Sequence, residues 1–77
     1  MDIPLTKLPV NKYGLVRAIK NQGASRHRLL DLGFVPGTEV QTVRKSPAGN
    51  PIAYLIRGTV IALRNDDTDL VIVSVVK

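Results

Sequence analysis

His27 is the sole histidine of the chain, and it stands between Arg26 and Arg28. A hydroxyl nucleophile needs a neutral base within reach, and this run of arginines offers no Ser-His-Asp arrangement. The chain has no cysteine, which excludes thiolate nucleophiles, thiolate metal ligands and disulfides, and suits a reducing cytosol. Gly33 and Gly37 follow an expected helix and do not open one, so the amides that would cradle a phosphate are missing there. These residues point away from an enzyme, and no cofactor is expected.

Two charged clusters remain. Asp66, Asp67 and Asp69 form the only acidic group, in an expected turn before the last strand. Hard divalent cations favour such oxygens, but carboxylates are equally common as turn and cap residues. With no histidine or cysteine beside them, any divalent metal site there is expected to be weak and exposed. Arg26, His27 and Arg28 fall in the first turn of the expected helix, where the macrodipole is already positive, and each like charge there costs about 0.3 to 1 kcal/mol. That local conflict points the cluster toward an anionic partner, although solvated side chains in salt tolerate it. Tyr13, Phe34 and Tyr54 are too few and too scattered to form a base-stacking platform; Tyr54 is expected in the core or at the barrel rim, and Phe34 reads as a core plug in preference to an exposed anchor.

The elements that hold these residues are short. Leu15 to Ile19, Glu39 to Arg44, Ile52 to Arg57, Thr59 to Arg64 and Leu70 to Val76 read as strands, being rich in Val and Ile between turn residues. The spacing of Val40 and Val43 breaks alternation and predicts a bulge, and Gly58 marks a bend or a tight turn. One helix is expected over residues 25 to 32, capped by Ser25, with Leu29, Leu30 and Leu32 as its apolar stripe and Gly33 as its left-handed stop. Val35-Pro36-Gly37-Thr38 fits a type II turn. The sum is a mostly β fold, a small antiparallel barrel that hides its edges, with one short helix inserted after the first strand.

A chain of 77 residues with 44% apolar content supports one core, so residues 1–77 read as a single domain, with roughly 3 to 5 kcal/mol of stability. The net charge of +5 biases it toward anionic partners, with nucleic acid, acidic lipid headgroups and acidic protein surfaces all open. No stretch has the length of a membrane span and no signal peptide is evident, so a soluble cytoplasmic protein without direct membrane insertion is expected.

Four strings carry a further signal when taken in order: RHRLLDLGFVPG at 26–37, SPAGNPI at 46–52, RGTVIALR at 57–64 and DLVIV at 69–73. Together they resemble the FeoA family, and the likeness runs over almost the whole chain from Leu8. Leu29, Leu30, Leu32, Gly33, Pro36 and Gly37 match the family's helix and turn motif, while Pro47, Gly49, Pro51 and Ile52 match its central loop. Ala48 and Asn50 depart from the residues usual there, a larger aliphatic residue and Asp.

The resemblance implies an SH3-like barrel without enzyme activity, a cytosolic partner of FeoB, a membrane transporter of ferrous iron with a cytosolic G-protein domain. Related domains also end iron-dependent repressors, where they serve as regulatory modules. On this reading Arg26, His27 and Arg28, with Lys45, Pro47, Gly49 and Pro51 of a rigid loop, dock on an acidic or apolar face of the transporter's cytosolic part. The alternatives are a basic nucleic-acid-binding domain, disfavoured by the shortage of exposed aromatics, and a metal-responsive module acting through the aspartates.

Overall fold

The computed structural model describes residues 1–77. Alternation of apolar and polar residues lays each strand over one core: Val16 of β2 (Tyr13–Ile19), Val40 and Thr42 of β3 (Glu39–Lys45), Ile52, Tyr54 and Ile56 of β4 (Ile52–Ile56), Leu63 of β5 (Thr59–Leu63), and Val71 and Val73 of β6 (Val71–Val75). Each large aliphatic side chain removed from water in this way contributes about 1.5–3 kcal/mol. Ile72 and Ser74, on the other face of β6, are partly covered, as its nearly continuous apolar run predicts.

The sheet is antiparallel throughout, and with β1 (Asp2–Pro4) its order is β1-β6-β2-β3-β4-β5. The additional strand is β1, too short and too poor in β-branched residues to be legible, which pairs with β6. A 3-10 turn at Leu5–Lys7 follows it and brings Leu5 and Leu8 into the core. The predicted bulge lies in β3: its partners in β4 step from Thr42↔Tyr54 to Arg44↔Ala53, so Val43 is the extra residue. Arg57 and Gly58, with φ of 51° and 79°, make the two-residue turn between β4 and β5.

The hydrogen-bonded ladder does not close on itself. It ends at β1 on one side and β5 on the other, because Arg64 turns the chain into the short helix α2 (Asn65–Thr68) directly after β5. The Arg64 carbonyl accepts from the amides of Asp67 and Thr68 at 3.0 and 3.3 Å.

Helix α1 spans Gly23–Leu32 and begins before the expected Ser25 cap. Gln22 holds the cap position without a side-chain hydrogen bond, since Ser25 is drawn into a different contact, described below. At the other end the expectation holds. Gly33, at φ 108°, ends the helix, with the Phe34 amide bonded to the Leu29 carbonyl at 3.0 Å and the Gly33 amide to Leu30 at 3.0 Å. This paired pattern places Phe34 and Leu29, both fully buried, in the same core. The following turn bonds the Thr38 amide to the Val35 carbonyl at 3.1 Å and leads into β3.

Candidate functional site

Arg26, His27 and Arg28 lie beyond the free amides of α1, because the helix starts at Gly23. The conflict with the positive helix end is therefore weaker than a start at Ser25 would make it. Nor are the three side chains a free patch. Arg26 Nη1 donates to the Ile19 carbonyl at 2.8 Å, and Arg28 Nη2 is paired with Asp67 Oδ2. His27 alone is exposed without such a contact.

Lys45, Pro47, Gly49 and Pro51 fall where β3 hands the chain to β4. The loop is braced from within and from α2. Gly49 N–H donates to the Ser46 carbonyl at 2.8 Å and Asn50 N–H to Ser46 Oγ at 3.0 Å, while the Asn50–Pro51 peptide is cis. Asn50 Oδ1 accepts from the Asn65 amide at 3.1 Å, and Asn65 Nδ2 donates to the Gly49 carbonyl at 3.2 Å. Asn50 thus serves an amide at the start of α2, a task an amide oxygen performs as well as a carboxylate.

The aspartates form a clasp. Asp67 Oδ1 accepts from Ser25 Oγ at 2.8 Å and Oδ2 holds Arg28, while the Asp67 carbonyl accepts from Asn21 Nδ2 at 2.8 Å. Asp69 Oδ1 accepts from Thr6 Oγ1 at 2.6 Å, on the segment after β1. Asp66 is exposed and in none of these contacts. Two of the three carboxylates are thus already committed, and no group of three or more His, Cys, Asp or Glu is placed to hold a metal ion. Beneath this clasp lies the hydroxyl of Tyr54, whose pKa burial raises above 10.0, with the nearby Thr68 opposing and Asp69 adding to the shift. Thr68 is close enough to bear on the Tyr54 hydroxyl, yet its geometry falls short of a hydrogen bond and the oxygen is left without a partner.

The helix cluster and the loop do not meet in one pocket. They border two shallow depressions on either side of β5. One, about 350 Å3, is lined by Arg28 and Leu32 of α1 and by Ile61 to Arg64. The other, about 170 Å3, is lined by Arg44, Ser46, Pro51, Ala53 and Ala62. Ala62 lines both, which makes β5 the ridge between the two predicted contact regions. Arg44, Val60, Ala62 and Arg64 were not singled out from the sequence. The signal available was an uncharged strand, Thr59–Leu63, between basic residues, but its unpaired side is a property of the sheet order alone.

Phe34 and Tyr54 are both fully buried, which removes them from any base-stacking surface. No helix is long and apolar enough to cross a membrane.

The chain is similar to a fusion protein of Fe(2+) transport protein A and Fe(2+) transporter FeoB from Porphyromonas gingivalis (strain ATCC BAA-308 / W83), at 29% identity over 63 residues. That stretch is 82% of this chain and 8% of the fusion protein, so the chain spans a small part of its relative. The solution structure of iron(II) transport protein A from Clostridium thermocellum is similar at 32% identity with a TM-score of 0.92, covering 96% of this chain and 46% of that one. The crystal structure of zinc-complexed FeoA from Stenotrophomonas maltophilia, described as an SH3 domain protein, is similar at 33% identity with a TM-score of 0.81, covering 96% and 89%. The six-stranded antiparallel fold found here is thus of the SH3-like kind expected from the strings above. Residues 3–75 match the model of the FeoA domain, and the chain belongs to the FeoA family, which is involved in ferrous iron transport.

Proposed function

We propose that this chain is a non-catalytic accessory module of ferrous iron uptake that docks, from the cytosolic side, on a FeoB-type transporter. The observation that carries the reading is the Porphyromonas gingivalis relative, in which a transport protein A segment and the transporter share one polypeptide. Fusion keeps two partners at high effective concentration, and separate chains that do the same work must recognise each other through a surface. The surface here suits that task. It is basic at a net +5, and its depressions are shallow and lack any nucleophile and base in contact.

The test is co-purification of the full chain with a detergent-solubilised FeoB-type transporter at several salt concentrations, with recovered nucleic acid assayed in parallel. Stoichiometric, salt-weakened capture with Lys45→Glu binding less is the expected result. Absence of capture at every salt concentration, or recovery of nucleic acid in place of transporter, overturns it. Double reversal at Arg26 and Arg28 is a poor reagent, because Glu at 28 would face Asp67 and loosen α1.

A further inference from the structure

Edge strands present unpaired amides and carbonyls, and soluble proteins blunt them with charge, proline, shortness or a covering element. The β1 edge is treated in this way, being three residues long with Asp2 at one end and Pro4 at the other. The β5 edge is not. Thr59-Val60-Ile61-Ala62-Leu63 contains neither charge nor proline, pairs with β4 without a shift, and leaves Val60 55% exposed.

The two-residue turn makes Ile56↔Thr59 a hydrogen-bonded pair, so Thr59, Ile61 and Leu63 address β4. The N–H and C=O of Val60 and Ala62 then face away from the sheet, and no backbone bond outside the regular elements uses them. Helix α1 leaves this side open as the groove of about 350 Å3 between Arg28 and Leu32 and the end of β5. An added strand sits about 4.8 Å from its neighbour, which would put it on the side of β5 that this groove occupies.

Charge selects the occupant. Arg17 and Arg28 are paired with Asp2 and Asp67, and Arg26 is bonded to a carbonyl. Arg44, Arg57 and Arg64 have no ion pair or side-chain hydrogen bond: Arg57 lies in the turn before β5, Arg64 at its end, and Arg44 on β3, facing Ala62 across β4 over the second depression.

We propose that β5 is a docking edge that takes an extended acidic segment of a partner protein as an added strand, bonded through Val60 and Ala62 and held by Arg44, Arg57 and Arg64. This rests on the docking reading above and places the contact on the strand between the helix cluster and the loop. A second copy of the chain fits less well, since each copy carries +5 and the same basic rim.

The test is amide hydrogen exchange on the full chain, alone and with the detergent-solubilised FeoB-type transporter. Exchange at Val60 and Ala62 should slow about tenfold or more on binding. Ala62→Pro removes one outward amide and no ladder bond, and Arg64→Glu reverses one rim charge without touching the backbone. Each should weaken binding about tenfold, and Arg64→Glu does so without depending on how a proline is tolerated. Protection confined to the Lys45–Pro51 loop or to α1 would overturn the docking edge and leave transporter binding standing. Protection nowhere overturns both readings. Concentration-dependent protection of β5 without transporter would identify a second copy as the occupant and overturn the acidic segment.

Discussion

Asp67 shows how little of a carboxylate's role its residue type reveals. As one member of an acidic triplet it reads as a metal ligand or a turn former, yet it accepts from Ser25, pairs with Arg28, and offers its carbonyl to Asn21. Its side chain is 20% exposed, so solvent screens part of the ion pair. Asp67→Ala is expected to lower stability in urea by about 1–2 kcal/mol, the worth of lost charged hydrogen bonds after that screening. Tyr54 gives a pH signature. Its folded pKa is raised above 10.0, so between the unfolded and folded values the unfolded chain holds fewer protons than the folded one. Its contribution is fully present below about pH 10 and is lost as the pH rises through the folded value. Tyr54→Phe should flatten that alkaline loss in urea titrations. Near neutral pH it should change stability by less than about 1 kcal/mol, because the hydroxyl removed has no partner.

Among the elements, α2 does more than its four residues suggest. Asn65 holds the Lys45–Pro51 loop, Asp67 holds α1, and Asp69 reaches the segment after β1, so one turn ties three distant parts of the chain to the sheet. The end of α1 depends on a single residue. Gly33 sits at φ 108°, where a side chain is strained, and an added Cβ would strike the stem of Arg57. Gly33→Ala is expected to cost about 1–3 kcal/mol from the backbone conformation alone. In a double-mutant cycle, Arg57→Ala should recover only the steric part of the loss, with thermal unfolding as the readout. Full recovery would show that the backbone conformation carries no cost.

For the molecule as a whole, charge and sheet order act together. A net +5 speeds encounter with an anionic surface and opposes self-association. Association with the transporter is therefore expected to slow about tenfold or more between low and high salt, while dissociation changes less, as stopped-flow mixing can measure. A rate independent of salt would remove charge from the recognition. The committed arginines hold the fold, and the uncommitted ones gather around β5, so charge reversal at Arg44 or Arg64 should change binding with little change in stability.

The sequence by itself determined the class of fold, the position of nearly every strand, the helix with its glycine stop and the presence of a bulge in β3. These follow from local periodicity and from turn residues whose backbone preferences are short-ranged. It left Tyr54 between core and rim and Phe34 between core plug and exposed anchor. It determined neither the short strand β1 nor the start of α1, because three residues carry no period and Ser25 is claimed by a partner 42 positions away. Only the tertiary structure decided that the aspartates hold elements together, that Arg26 and Arg28 are committed, and that β5 is left as an open edge. Each of these depends on which segments meet across the fold, a matter of long-range pairing that no local spacing encodes.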